Sequence, residues 1–173
     1  MYRLTIKDIL EATGGVLLCG DENTEIKDVC INSKEIKPGD LFVPIIGERV
    51  DAHRFIESAL HTGAATLTSQ HTDIVVSEKP FVYVSDTEKA LQDIGAYVRK
   101  KFKKPVIGVT GSVGKTTTRQ MIATVLSGCL NVYQTEGNLN SQIGVPLTLR
   151  RIDENAEAAV SVNRDRWRFC LTW

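Results

Sequence analysis

The sequence has no excess of charge of either sign, because 21 Lys and Arg balance 21 Asp and Glu among 173 residues. Without a global electrostatic field we expect no general attraction to nucleic acid or to an anionic membrane surface, so an anionic ligand needs a local site. A long hydrophobic run is missing as well. The opening stretch MYRLTIKDILEATGG is interrupted by charges, which argues against a signal peptide and a membrane span.

Cysteine is scarce and dispersed. The four cysteines, Cys19, Cys30, Cys129 and Cys170, form no C-x-x-C pair, which argues against a zinc site and against a disulfide framework. We therefore expect a reducing cytoplasmic environment. Hydrophobic residues make up 42% of the chain, which is enough for a buried core in one large domain or two small ones.

Helix-like and strand-like segments alternate along the chain, which predicts an α/β fold. Thr5 and Asp8 have the spacing of a capping box, so a short helix is expected from there to the pair Gly14 and Gly15. A second helix is expected over 53–63. Short apolar runs between turn residues predict strands, and they lie at 25–31, 40–47, AATLTS (64–69), DIVVS (73–77) and FVYVS (81–85).

A longer helix is expected after the last of these strands. Ser85 and Glu88 have capping-box spacing at its start, and its apolar residues recur on one face: Leu91, Ile94, Val98 and Phe102. We interpret its basic end, KKFKKP, as a solvated helix terminus followed by a hinge at Pro105, since cations suit a helix C-terminus and proline ends a helix. A domain boundary is therefore expected between residues 84 and 105.

The stretch VIGVTGSVGKTTTRQMIATVLSG, residues 106–128, joins an apolar strand to a helix through a glycine turn. Gly111 and Gly114 allow the backbone to curl, so that N–H groups and a helix N-terminus converge on a phosphate. Lys115 adds positive charge for the β- and γ-phosphates, and Thr116 offers a hydroxyl to Mg²⁺. We interpret this turn as a site for a nucleoside triphosphate.

The turn departs in one place from the full Walker pattern, which has glycine where this chain has Val109, so only G-x-x-G-K-T is met. The alternative is a tight glycine turn whose lysine is merely solvated. The following helix is expected to end at Gly128 and to bury one face, made of Met121, Ile122, Val125 and Leu126.

A second polar stretch, TEGNLNSQIGVPLTLRR, covers residues 135–151. It is rich in Asn and Gly and suits a loop that contacts a ligand, although an ordinary loop with turn-forming asparagines would look similar.

Together these stretches resemble the central ATPase domain of the Mur ligases. The segment NSKEIKPGDLFVPIIGERVDAHRFI is similar to the uridine-nucleotide-binding domain of the same family, whose usual form has D-S-R, then P-G-D-L-F, then G-E-R-x-D-x-H. The resemblance implies a small N-terminal α/β UDP-binding domain followed by the truncated start of a P-loop α/β ATPase domain. The implied divisions are residues 1–84, a connecting helix and hinge at 85–105, an ATP-binding part at 106–160 and a tail at 161–173.

The resemblance is strongest to the members that join D-Ala-D-Ala to UDP-MurNAc-tripeptide. It implies an ATP- and Mg²⁺-dependent amide ligase of cell-wall synthesis that works through an acyl phosphate, as a cytoplasmic monomer. The alternatives are another amide ligase of the same superfamily, such as a folylpolyglutamate synthase, and a binding fragment without turnover. A generic P-loop kinase is less favoured, because it leaves the first hundred residues unexplained.

The resemblance also carries functional roles onto matching positions. Lys115 matches the phosphate-binding catalytic lysine and Thr116 the Mg²⁺ ligand. The residues implied to bind ATP are Thr110, Gly111, Ser112, Val113, Gly114, Lys115, Thr116, Thr117 and Asn138. The residues implied to bind the substrate are Ser33, Gly47, Arg49, His53 and Asn140. A lone histidine that opens a helix is also a common cap or packing residue, so both roles stay open for His53. His61 and His71 match nothing and are expected at the surface.

The chain departs from the family after AEAAV. The family's strand ends there in a glutamate that helps to hold Mg²⁺, whereas Val162 stands at that position. Both tryptophans and three arginines crowd into the remaining residues. We hypothesise that residues 161–173 are a foreign tail, such as a frame-shifted one, on a truncated product that binds ligands without turnover; the alternative is a divergent genuine ending.

Overall fold

The structure is a computed structural model and describes residues 2–70, 78–135 and 141–162. The chain divides into two compact units, Arg3–Ile94 and Gly95–Trp173 together with Met1–Tyr2. The expected α/β class is confirmed. No helix within the described ranges combines the length and apolar character that a membrane crossing requires.

The first unit is built on a five-stranded sheet with the order β2-β7-β6-β5-β4 and a two-stranded sheet β1-β3. Strands β4 to β7 run parallel, and β2 joins the edge antiparallel to β7. Its elements are β1 (Leu4–Thr5), α1 (Ile6–Thr13), β2 (Val16–Cys19), β3 (Glu25–Ile26), β4 (Val29–Cys30), β5 (Leu41–Phe42), a 3₁₀ turn (Ala52–Phe55), α2 (Ile56–Thr62), β6 (Ala65–Thr68), β7 (Phe81–Tyr83) and α3 (Thr87–Lys101), which continues into the second unit.

The first helix has the expected ends. Asp8 N–H donates to Thr5 Oγ1 at 3.4 Å, and Thr5 N–H donates to Asp8 Oδ2 at 2.8 Å, so the capping box is confirmed. At the other end Gly14 has φ 65° and its N–H donates to Leu10 O at 2.9 Å. Glycine adopts this left-handed conformation without a Cβ clash, which explains why the helix ends there.

Two of the expected strands are shorter than their apolar runs. The run 25–31 forms two strands in different sheets, since β3 pairs with β1 and β4 pairs with β5. The run 40–47 contributes only Leu41–Phe42 to the sheet. Pro44 follows closely and has no N–H for a ladder, and its carbonyl instead accepts the Thr87 hydroxyl at 2.6 Å. Strand β2 was not predicted, and the strand expected at 73–77 lies outside the described residues.

Helix α3 buries the expected face, because Leu91, Ile94 and Val98 are at most 1% exposed, as is Phe102 directly after the helix. Its cap is different from the prediction. The N–H groups of Glu88 and Lys89 donate to Asp86 Oδ1 at 2.8 and 3.0 Å, so Asp86 rather than Ser85 caps the helix. Asp is as good an N-cap residue as Ser, and the two stand side by side in the sequence.

The second unit contains a three-stranded parallel sheet with the order β8-β10-β9. Its elements are β8 (Val106–Val109), α4 (Lys115–Leu126), β9 (Val132–Gln134), α5 (Gly144–Arg150) and β10 (Ala158–Val162). Ala159 packs with Val145 and Leu149 of α5, whereas Val160 packs with Ala123 of α4. Neighbouring strand residues point to opposite faces, so α4 and α5 cover the two sides of the sheet.

The buried face of α4 differs from the prediction. Met121 and Val125 are 65% and 76% exposed, while Arg119 and Ala123 are buried. Ile122 and Leu126 are half-buried against the sheet, as expected. The prediction therefore included Met121 and Val125 in the buried face and left out Arg119 and Ala123. It did so because hydrophobic periodicity does not place an arginine in the core.

The polar stretch 135–151 is also more regular than expected, since Gly144–Arg150 forms α5. Pro146 lies in its first turn, where the missing proline N–H would have no helical partner in any case. Helix α5 is buried along its length.

Candidate functional site

The glycine turn lies between β8 and α4, which is the expected strand-turn-helix setting. Gly111 has φ 146° and Gly114 has φ 78°. Residues that carry a Cβ rarely adopt these backbone conformations. Gly114 caps α4, whose first N–H groups have no partner inside the helix. This terminus therefore offers backbone donors and a partial positive charge to an anion.

Lys115 lies over this turn. Its Nζ donates to Gly111 O at 2.5 Å and to Ser112 O at 3.4 Å. The ammonium group is thus held against the loop by two loop carbonyls, and its role at a phosphate stays a prediction.

The rest of the turn is open to solvent. Thr110, Gly111, Ser112, Val113 and Gly114 are exposed, and Val113 reaches 91%. The next two residues of α4, Thr116 and Thr117, are exposed as well. An exposed hydroxyl oxygen beside the lysine suits a hard cation such as Mg²⁺, which keeps several waters and takes phosphate oxygens as ligands. Thr116 therefore fits one ligand position.

A buried hydrogen-bond network lies beside the turn and was missed from the sequence. Thr135 Oγ1 donates to Ser161 Oγ at 3.1 Å and accepts Val162 N–H at 3.3 Å. Arg119 Nη1 donates to Thr135 O, although Arg119 is only 8% exposed. The network joins α4 to the ends of β9 and β10. The available signal was that Arg119 lies four residues after Lys115, on the same helix face.

The three parallel strands bring their carboxyl ends to one edge of the sheet, which is where α/β proteins bind ligands. Residues 110–114 follow β8, and the segment that follows β9 contains Asn138 and Asn140, which lie outside the described residues. Val162 ends β10 opposite Val109 and is 4% exposed. A valine has no oxygen for a metal. Within the described ranges, no group of three or more His, Cys, Asp or Glu is placed to hold a metal ion.

The candidate residues of the first unit also follow parallel strands. Ser33 comes after β4, and Gly47, Arg49 and His53 come after β5. They therefore lie in loops at the carboxyl edge of their sheet. Asn32 Oδ1 accepts Lys34 N–H at 3.1 Å, an Asx turn that shapes the backbone around half-buried Ser33.

Arg49 lies in a tight hairpin over residues 46–51. Ile46 pairs with Asp51, and Gly47 N–H donates to Val50 O at 3.0 Å. Gly47 and Arg49 are exposed, and the flanking Ile46 and Val50 are 58% and 46% exposed. The hairpin thus exposes the Arg49 side chain together with two apolar side chains and the neighbouring Glu48.

His53 is in a different situation, because it is only 3% exposed. Its Nδ1 lies 2.7 Å from Asp51 Oδ1, and Ser69 N–H donates to its Nε2 at 3.1 Å. Both ring nitrogens of His53 therefore bond to groups of the same unit. The expected contact of His53 with substrate stays a prediction. His61 is exposed as expected, and His71 lies outside the described residues.

The pKa of Asp51 is lowered, first because its carboxylate accepts the His53 backbone N–H, and further because it accepts the Gln70 amide and the His53 ring N–H. These bonds outweigh the effect of partial desolvation, which raises the pKa. Asp51 is therefore ionised at neutral pH.

Two family models match the chain. The Mur ligase middle domain matches residues 109–161, and the model described as Mur ligase family, catalytic domain, matches residues 25–101. The two matches cover the glycine turn and the loops that carry Ser33, Arg49 and His53.

Similar proteins are UDP-N-acetylmuramoyl-tripeptide--D-alanyl-D-alanine ligases. The one from Bacillus subtilis is 39% identical over 162 residues, 92% of this chain and 35% of the relative. The one from Synechocystis is 41% identical over 140 residues, 80% of this chain and 31% of the relative. The chain thus spans about a third of the length of these relatives.

Solved structures of MurF have the same fold. MurF from Acinetobacter baumannii matches with a TM-score of 0.86 at 33% identity, over 95% of this chain and 36% of that one. MurF from Thermotoga maritima, solved in complex with ADP, matches with a TM-score of 0.71 at 33% identity, over 80% of this chain and 32% of that one.

Proposed function

Because the chain belongs to the Mur ligase family, we propose that it carries the nucleotide-binding parts of an ATP-dependent ligase that joins D-Ala-D-Ala to UDP-MurNAc-tripeptide. Its similar relatives are named for that reaction. The observation that carries the proposal is the glycine turn with Lys115 held over it. We also propose that the ligase acts as a cytoplasmic monomer.

The chemistry requires activation of a carboxylate. The γ-phosphoryl group of ATP passes to a carboxylate oxygen of the tripeptide, and ADP leaves. The amine of D-Ala-D-Ala then attacks the acyl carbon, the amide bond forms, and the carbon–oxygen bond to phosphate breaks. A carboxylate and ATP repel each other, so the protein has to neutralise and align both.

The residues of the second unit meet part of that requirement. Lys115 supplies a cation at the β- and γ-phosphates, and the N–H groups at the start of α4 donate to their oxygens. Thr116 would hold Mg²⁺, which supplies further charge neutralisation at the phosphates when bound. These contacts orient the terminal phosphate for transfer.

The residues of the first unit suit the UDP group. Arg49 is exposed in its hairpin and can form paired hydrogen bonds with a phosphate. Ile46 and Val50 offer apolar surface for a ring, and Ser33 offers a hydroxyl in the loop after β4. The proposed UDP site is therefore the carboxyl edge of the five-stranded sheet.

A second candidate function is binding of both nucleotides without turnover. The observation that favours it is Val162, which is buried at the strand end where the family has a metal-binding glutamate. This candidate shares the ATP site and the UDP site with the first one. It differs only in the catalytic step.

Steady-state ADP release tests both candidates, with UDP-MurNAc-tripeptide and D-Ala-D-Ala as substrates. Release that requires both substrates supports the ligase, whereas Mg²⁺-ATP binding without release supports the binding function. For either one, Lys115→Ala should weaken Mg²⁺-ATP binding at least about tenfold, because a phosphate contact loses its cation. Lys104→Ala, at an exposed lysine of the same unit, is the control and should leave the Kd unchanged. Equal ATP affinity of Lys115→Ala and the parent would refute the proposed site.

A further inference from the structure

Four polar groups of the first unit form one connected cluster, which we call the Asp51 cluster: Asp51, His53, Ser69 and Gln70. Asp51 ends the hairpin 46–51, and His53 lies in the 3₁₀ turn that follows it. Ser69 follows β6 directly. The cluster thus connects the hairpin to the end of the neighbouring parallel strand.

Asp51 is the acceptor at the centre of this cluster. Its Oδ1 accepts His53 N–H at 2.9 Å and lies 2.7 Å from His53 Nδ1. Its Oδ2 accepts the Gln70 side-chain amide at 2.7 Å. Three donors therefore hold one carboxylate, which keeps it ionised and fixes its orientation.

The proton on the His53 ring follows from its partners. A backbone N–H can only donate, so Nε2 accepts the bond from Ser69 N–H at 3.1 Å. A carboxylate can only accept, so Nδ1 carries the proton and donates to Asp51. The imidazole therefore links the carboxylate to the backbone of Ser69 as a neutral ring.

The order Asp51, His53, Ser69 resembles the triad of serine hydrolases, in which a histidine takes the proton of the serine hydroxyl. Ser69 Oγ does lie 3.1 Å from Nε2. However, Ser69 N–H points at the same lone pair from the same distance. The lone pair is engaged by the backbone, so the arrangement holds a loop rather than activating a nucleophile.

We propose that His53 is a positioning residue for uridine-nucleotide binding, which fixes the hairpin carrying Arg49 against the end of β6. This inference rests on the proposed UDP site. His53 is nearly inaccessible to a ligand, whereas Arg49 and the apolar side chains of the hairpin are exposed three to seven residues earlier. In this proposal the ring affects nucleotide binding through the position of the hairpin.

Two substitutions test separately the bond of the His53 ring to Asp51 and its bond to Ser69. His53→Gln places an amide oxygen where it can accept Ser69 N–H, while the backbone N–H of residue 53 and the Gln70 amide still hold Asp51. His53→Asn can donate to Asp51 but is too short to reach Ser69. UDP serves as the probe in calorimetric titrations, and His61→Asn, at an exposed histidine of the same unit, is the matched control.

We expect His53→Asn to weaken UDP binding about tenfold and His53→Gln about threefold or less, with the control unchanged. Rescue by Gln is expected because only that variant keeps an acceptor for Ser69 N–H. Equal losses in both variants, or no loss in His53→Asn, would overturn the inference.

Hydrogen exchange of the Ser69 amide, measured without nucleotide, reports on the link independently of the UDP site. It should speed up in His53→Asn and not in His53→Gln. If the parent does not bind UDP, the proposed site and the positioning role both fail, even with this exchange pattern. If the parent binds UDP and the exchange is unchanged in His53→Asn, only the inference fails.

Discussion

A substitution at Val162 tests whether the end of β10 can contribute a ligand to Mg²⁺ in the second unit. Val162 ends β10 opposite Val109, the last strand residue before the glycine turn, and packs with Val160 and Ala123. Val162→Glu introduces the residue type that the resemblance to the Mur ligases implies there. The new carboxyl group would start in an apolar environment beside the proposed phosphate site.

Two costs determine the expected change in stability. Removing the valine side chain from its apolar contacts costs about 1.5 kcal/mol. Holding a protonated carboxyl without a hydrogen-bond partner adds about 1–3 kcal/mol. We therefore expect Val162→Glu to lower the free energy of unfolding by about 3 kcal/mol at low pH. Burial raises the pKa of a carboxyl group, so this loss should grow as the pH rises above the ordinary Glu value of about 4.3.

Urea unfolding of the parent, Val162→Glu and Val162→Gln measures the effect, each with ATP in the presence of Mg²⁺ or of EDTA. Glutamine has nearly the same size and lacks the charge, so only the Glu variant should regain stability with Mg²⁺. Equal recovery in both variants would show that the strand end does not reach the metal. A Glu variant as stable as the parent without ligand would refute the burial argument itself.

Two further predictions concern buried and ionised groups. Arg119→Leu removes the donor to Thr135 O and should lower the free energy of unfolding by about 1–3 kcal/mol, measured by urea unfolding. Arg119→Lys keeps a donor and should lower it less. Equal losses in the two variants would mean that the hydrogen bond contributes nothing. The lowered pKa of Asp51 implies a stabilisation that is complete above the ordinary Asp value of about 3.9 and is lost as the pH falls through the folded-state pKa. Asp51→Asn should therefore show a shallower loss of stability on acidification than the parent, and identical pH profiles would contradict the assigned hydrogen bonds.

The features that could be predicted from sequence are those set by neighbours along the chain. The capping box of α1 depends on residues three apart, and the buried face of α3 depends on a repeat within one helix. The glycine turn before α4 is local in the same sense. Each of these three features depends on residues a few positions apart, and such spacings can be read from the sequence.

The errors arose where tertiary contacts choose between similar local options. Ser85 and Asp86 are both good caps, and in the structure Asp86 accepts the N–H groups of the first turn. On α4 the buried position goes to Arg119, because a carbonyl at the end of β9 accepts its hydrogen bond. Hydrophobic periodicity assigns arginine to the exposed face. It contains no information about Thr135, the hydrogen-bond partner 16 residues away.

His53 shows the same limit at the candidate site. The motif G-E-R-x-D-x-H identifies the residue, and its position suggests either a ligand contact or a helix cap. Its partner Ser69 lies 16 residues further on, in the loop of the next parallel strand. The spacing of the motif contains nothing about that strand, so the role of the ring depends on the sheet order.

The order of the strands also bears on the candidate site of the second unit. In the second unit β10 lies between β8 and β9, so the chain leaves β8 through the glycine turn, crosses over α4 to β9, and returns to the centre by way of α5. Sheets of this class bind ligands outside the carboxyl ends of their strands, at the point where the connections pass to opposite faces, and α4 and α5 lie on opposite faces here. Lys115 lies at the N-terminus of α4, and the network around Thr135 supports the neighbouring strand ends. Since hydrophobic pattern alone does not determine which strand lies in the centre, the site depends on a topology that the motif by itself cannot specify.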